Sequence, residues 1–128
     1  MTDRQHVQDW VAGYRRAWES NAEADIRALF TDDAAYRYHP YDDEPVVGID
    51  AILASWLENR DEPETTTWEV RAVHVDGDTG FVQGVTDYLR LARVYDNLWV
   101  IQFADDGRAR TFTEWFMKRP PVQDAATS

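Results

Sequence analysis

Three side chains in this sequence could carry acid–base chemistry. His39 stands at the end of an alternating run, directly before Pro40. An imidazole is a competent general base near neutral pH without special tuning. Glu114 alternates with Phe112 and Phe116, so if the rings are buried the carboxyl is buried with them. A carboxylate there is costly unless paired or protonated. Burial would raise its pKa toward the working range of an acid or base. A one-residue slip of register would instead turn Glu114 to solvent or to a partner chain. Tyr14 lies on the apolar stripe Val7, Trp10, Val11, Tyr14 and Trp18. Its phenol could donate a hydrogen bond to a substrate oxygen, or simply pack among the rings.

The surroundings of such a site are unusually aromatic. Six Trp, six Tyr and five Phe make 13% of the chain. Either the core is built from large rings, or they line a cavity for a flat or apolar small molecule. Tyr36, Tyr38, Tyr41 and Trp56 are expected walls. Arg37 alternates with the tyrosines and is expected in solvent, as are His6 and His74. Asp87, in VQGVTDYL, falls opposite the inward set, which suits a dimer face or a sheet edge.

Other chemistries are excluded. Without cysteine there is no disulfide, thiolate nucleophile or Cys-ligated zinc. No GxSxG run occurs, and Gly77, Gly80 and Gly84 are too scattered to cradle a phosphate. The loop His39-Pro40-Tyr41-Asp42-Asp43-Glu44 lacks the spacing of a metal site, and its acids are expected to be solvated. No metal and no cofactor are expected. A net charge of -11 argues against nucleic acid and against an anionic membrane surface. The polar N-terminal residues have no signal-peptide core, no apolar run approaches a membrane span, and a cytoplasmic location is the expectation.

The positioning elements follow from period and punctuation. Helical spacing predicts a helix over 3–20, stopped by Asn21, and a second over 22–30, broken by Thr31-Asp32-Asp33. Ala34 to His39 reads as a strand ended by Pro40. After the loop 40–48, Gly48 opens a third helix with Ile49, Ile52, Leu53, Trp56 and Leu57 to about Glu58. Residues 59–64 read as a polar linker. From Thr65 the period becomes two, giving strands 65–75, 79–91, 94–104 and 109–118 with turns at Asp76-Gly77-Asp78 and Asp105-Asp106-Gly107. Helices followed by an antiparallel meander make an α+β pattern. A chain of 128 residues is one domain, here 1–118, with a disordered tail over 119–128. Strand 94–104 is apolar on both faces around Trp99, so the outer sheet face needs a cover, and a homodimer supplies it.

The segments Y14-RRAWESNAEADIRALF30-TDDAAYRYHP40, G48-IDAILASW56 and LWVIQFADDGRARTFTEWF116 resemble the nuclear-transport-factor-2-like superfamily, in its SnoaL-like branch. The resemblance spans about residues 7–118. It implies a cone-shaped α+β barrel: three N-terminal helices packed against a strongly curved, mainly antiparallel sheet. It also implies a pocket between them. The superfamily holds ketosteroid isomerase, scytalone dehydratase, limonene epoxide hydrolase, polyketide cyclases and non-catalytic modules.

Ketosteroid isomerase uses a helix tyrosine, a carboxylate base and a protonated carboxylic acid. Tyr14 stands at the tyrosine position. The base position is taken by His39 if Pro40 is the anchor, or by Tyr38 if the spacing from Phe30 is kept. The second acid position is Trp99. One position of three is kept, so steroid isomerisation itself is rejected. Counted from the DGR turn, the pocket-facing set of the last strand is Phe112, Glu114 and Phe116.

Two functions remain open. One is a cofactor-independent isomerase, cyclase, dehydratase or hydrolase acting on a small apolar or aromatic molecule. His39 would be base, Tyr14 hydrogen-bond donor and Glu114 acid, in a cavity walled by Trp18, Tyr38, Trp56, Trp99, Phe112 and Phe116. The other is a non-catalytic ligand-binding or dimeric association module. His39 and Glu114 on one open cavity would favour the first. A cone packed solid with Trp and Tyr would favour the second.

Overall fold

Asp3 starts the first helix by accepting a hydrogen bond from the His6 backbone N–H at 2.8 Å, which satisfies one donor of the exposed helix end. This helix, α1, runs Arg4–Ser20 and ends at Asn21 in the left-handed conformation, φ 51°. Its stripe buries Val7, Trp10, Val11 and Ala17. The computed structural model describes residues 2–59, 66–88 and 93–120. Most of the expected linker, the outer ends of two expected strands (Thr65 and 89–91) and the tail from 121 lie outside the described residues.

The second helix, α2, covers only Glu23–Arg27, and strand β1 already begins at Phe30 and runs to Arg37. Thr31-Asp32-Asp33 therefore lies within a strand. An irregularity between Phe30 and Ala35 absorbs the three polar residues. Strand β2, Val46–Val47, sits inside the expected loop and pairs antiparallel with β1. Helix α3, Ile49–Glu58, follows, with Gly48 at φ 94° as its N-cap, a conformation that glycine adopts without a Cβ penalty. Strands β3 (Thr66–Asp76), β4 (Thr79–Tyr88), β5 (Arg93–Phe103) and β6 (Ala109–Lys118) complete the order. Arg119 extends the anchored chain. Its backbone N–H donates to the Val94 carbonyl at 2.8 Å, and its guanidinium grips Asp96 at 2.7 and 2.8 Å.

The six strands form one sheet in the order β2-β1-β6-β5-β4-β3. All pairs are antiparallel except β1 with β6. The sheet is open, with β2 and β3 at its edges, so it is mainly antiparallel as expected but does not close into the expected barrel. The third helix follows the expected strand and also β2, which was not expected. A parallel β1–β6 pair needs a crossover through the rest of the chain, and no local pattern announces it.

Register stacks the inner face in rows across strands. One row is Tyr36, Phe112, Ile101, Gly80 and Val75; the next is Glu114, Trp99, Val82 and Val73; the next is Phe116, Asn97, Gly84 and Val70. The first row is core. Phe112 and Ile101 are fully buried. A Cβ at Gly80 would stand 2.9 Å from Val7 and 3.0 Å from Phe103, so the missing side chain is what lets α1 lie on the sheet at that end. Toward the other end the helices no longer fill the inner face.

His6, expected at the surface, pins a turn instead. Its Nε2 lies 2.8 Å from the Gly107 carbonyl oxygen and its ring packs edge-on against Phe103. His74 is exposed.

Candidate active site

The unfilled end of the inner face is a cavity of about 790 Å³, within the size range of small-molecule sites. Tyr14, Trp18, Tyr38, His39, Trp56, Glu114 and Phe116 line it. Tyr36, Asp42, Asn59, Tyr88, Arg93, Tyr95 and Asn97 also line it. Two expected walls stand behind it. Phe112 is fully buried and Trp99 nearly so, and their rings back Tyr14 at 5.9 and 4.6 Å. Alternation along a strand gives the face but not the depth. Tyr41 is 74% exposed and is not a wall. Asp87 is partly buried between Thr67 and Val94, away from the cavity.

Two of the walls are held by specific bonds. The Trp56 indole N–H donates to the Asn21 side-chain oxygen at 3.1 Å, so the residue that stops α1 also fixes a ring of α3. The Tyr38 hydroxyl lies 2.6 Å from Ser55 Oγ. Trp10 donates to the Leu29 carbonyl at 2.9 Å, which satisfies a buried indole under the site.

Glu114 faces inward from β6, opposite Trp99 of β5. Burial pushes its carboxyl from 4.5 up to about 8, because the charged form loses its water. Trp99 and Asn97 pull the other way more weakly. The Thr86 hydroxyl donates to Asn97 Oδ1 at 2.7 Å, which leaves the Asn97 amide N–H₂ to face Glu114 Oε1 at 3.4 Å. The Trp99 indole N–H, although near the carboxyl, has no well-aligned acceptor, and Glu114 Oε2 has none either among the described residues. The carboxyl is therefore a neutral acid near pH 7, held by one oxygen. Next to it, burial holds the Tyr36 phenol well above the ordinary tyrosine range. The Tyr36 proton is held in a hydrogen bond with Tyr14, and a negative charge on Glu114 would hold it further. Tyr14, Tyr36 and Glu114 thus form one cluster, with the Tyr36 proton directed to Tyr14.

His39 stands at the rim, its side chain 36% exposed. Tyr41 stacks on one side of the ring at 4.9 Å and Phe116 packs against it at 5.2 Å. Asp42, expected in solvent, lies 3.4 Å from His39 Nδ1. Asn97 and Asp42 were missed by sequence reasoning. The three-residue spacing from His39 to Asp42 was the available signal for Asp42. For Asn97 the signal was period two, since it stands two residues before Trp99 on the same expected strand.

Among the described residues, no group of three or more His, Cys, Asp or Glu side chains is placed to hold a metal. No helix among them is long and apolar enough to cross a membrane.

Comparison with known proteins bears on the fold. No curated protein matches the chain. Among solved structures, one from Kribbella flavida named "putative ketosteroid isomerase" superposes with a TM-score of 0.73 at 18% identity, covering 100% of this chain and 91% of the other. An NTF-2 like protein of unknown function from Burkholderia xenovorans gives 0.72 at 17%, covering 95% and 90%. A "putative polyketide cyclase" from Sinorhizobium meliloti gives 0.68 at 19%, covering 89% and 100%. At these identities the likeness establishes the fold and leaves the chemistry to the site itself. The SnoaL-like domain model matches residues 11–118, nearly the whole of the described fold, and the chain belongs to the SnoaL-like domain family.

Proposed function

We propose that this protein is a cofactor-independent enzyme of the isomerase, cyclase or dehydratase kind, acting on a small apolar or aromatic molecule that carries an acceptor oxygen. The observation that carries this reading is that His39 and Glu114 line one open cavity, rather than a cone filled with rings. A substrate carbonyl at the inner end would meet the neutral Glu114 acid and the phenol cluster. These groups stabilise negative charge developing on oxygen. His39 would take the proton from the adjacent carbon, and the electron pair would pass into the enol. Isomerisation, aldol cyclisation and β-elimination all proceed from that enol, so the cavity shape and not the first step selects among them.

The test is proton exchange at carbon. With 1-tetralone as an enolisable aromatic ketone in D₂O, the protein should speed loss of the α-proton signal. His39→Ala should slow that exchange by about 10²–10⁴-fold with the fold intact, as expected for loss of a general base. Binding of the ketone with no acceleration over buffer would favour the alternative reading, a non-catalytic ligand-binding or association module.

A second copy of the chain is proposed to cover the outer sheet face. Trp115 is 48% and Met117 75% exposed there, beside half-buried Leu98 and Val100. Sedimentation should give about twice the chain mass, and Trp115→Glu should give the monomer. A wild-type monomer at micromolar concentration would contradict the dimer.

A further inference from the structure

We infer that Asp42 is the positioning residue of His39: it holds the imidazole proton on Nδ1 and leaves the Nε2 lone pair as the working base. The inference rests on the reading of His39 as base, and it adds a residue that the sequence places only in an acidic loop.

The geometry fixes both partners. Asp42 Oδ2 accepts the backbone N–H groups of Tyr38 and His39, each at 3.1 Å. The Asp42 backbone N–H donates to the His39 carbonyl at 3.1 Å, and its own carbonyl accepts from Arg37 Nε at 3.3 Å. The carboxylate is thus anchored through one oxygen. The other oxygen, Oδ1, is the one 3.4 Å from His39 Nδ1. Tyr41 and Phe116 flank the imidazole ring. The contact is an ion-pair distance rather than an aligned hydrogen bond, and it favours the Nδ1–H tautomer because that proton faces the negative charge. The opposite nitrogen is then the unprotonated one. The carboxylate orients the ring, the part an aspartate plays beside a catalytic histidine. Asp42 and His39 both line the cavity.

The tautomer is read directly from the ring ¹⁵N shifts of the neutral imidazole, with no substrate present. In the wild type, His39 Nδ1 should show the protonated shift and Nε2 the unprotonated one. Asp42→Asn keeps an oxygen for the two backbone N–H groups but removes the charge. It should move His39 toward the Nε2–H form and lower kcat for 1-tetralone exchange on the order of tenfold to a hundredfold, with KM little changed. A wild-type ring already in the Nε2–H form, or ring shifts unmoved by Asp42→Asn, overturns the inference. The wild-type spectrum alone decides even if the variant folds poorly. Failure of the base reading looks different: the ring shifts respond to Asp42→Asn, yet His39→Ala exchanges the ketone as fast as wild type.

Discussion

Glu114→Gln is expected to stabilise the protein by about 3 kcal/mol at pH 7, although it removes a residue of the candidate site. The folded carboxyl titrates at about 8 and the ordinary one at 4.5. Below the lower value both states are protonated and Glu114 costs nothing. Between the two values the unfolded chain has released its proton and the folded one has not, so the folded state is disfavoured increasingly as pH rises. The loss approaches at most about 5 kcal/mol and levels off above the folded pKa. Glutamine carries no proton to lose, and Asn97 can still donate to its carbonyl oxygen. Urea unfolding at pH 5, 7 and 9 should show wild type weakening across the series and the variant gaining on it. The same variant should lose ketone exchange, because an amide can donate a hydrogen bond but cannot deliver the proton. Equal pH slopes in the two proteins would mean that Glu114 is already ionised in the fold.

Phe112→Ala is expected to destabilise by about 3–5 kcal/mol, the cost of deleting a large ring from a close-packed core. Phe112 is fully buried. Its ring stacks on Tyr36 at 4.6 Å and lies parallel to Tyr14 at 5.9 Å, with Trp10 and Trp99 at 6.0 and 5.5 Å. The resulting void would border both phenols of the site, so their positions would loosen along with the core. A fall of roughly 10–20 °C in Tm should accompany it. Phe116→Ala makes the contrast. That ring is 46% exposed at the rim, so its removal should cost under about 1 kcal/mol while loosening His39. Equal losses from the two variants would place Phe112 at the cavity surface rather than behind it.

These two residues also show what sequence could and could not convey. Alternation along 109–118 puts Phe112, Glu114 and Phe116 on one face, and the DGR turn gives the count an anchor. It cannot say that Phe112 is core, Glu114 half-way and Phe116 rim, because depth along a strand is set by where α1 and α3 end. The helical period of α1, its stop at Asn21 and the β3–β6 meander are local signals and were legible. The parallel β1–β6 pair and the strand residues Phe30 to Asp33 depend on a partner eighty residues away. Asp42 looked like one solvated acid among several, and only the turn that brings its carboxylate onto two backbone N–H groups distinguishes it from Asp43 and Glu44.

A neutral carboxylic acid in the cavity is what the proposed chemistry requires of Glu114. Carbon-13 NMR of the Glu114 side-chain carboxyl, followed from pH 3 to pH 10 and assigned by its absence in Glu114→Gln, tests this most directly. A titration midpoint at about 8 is the predicted result; a midpoint near the ordinary 4.5 would contradict it.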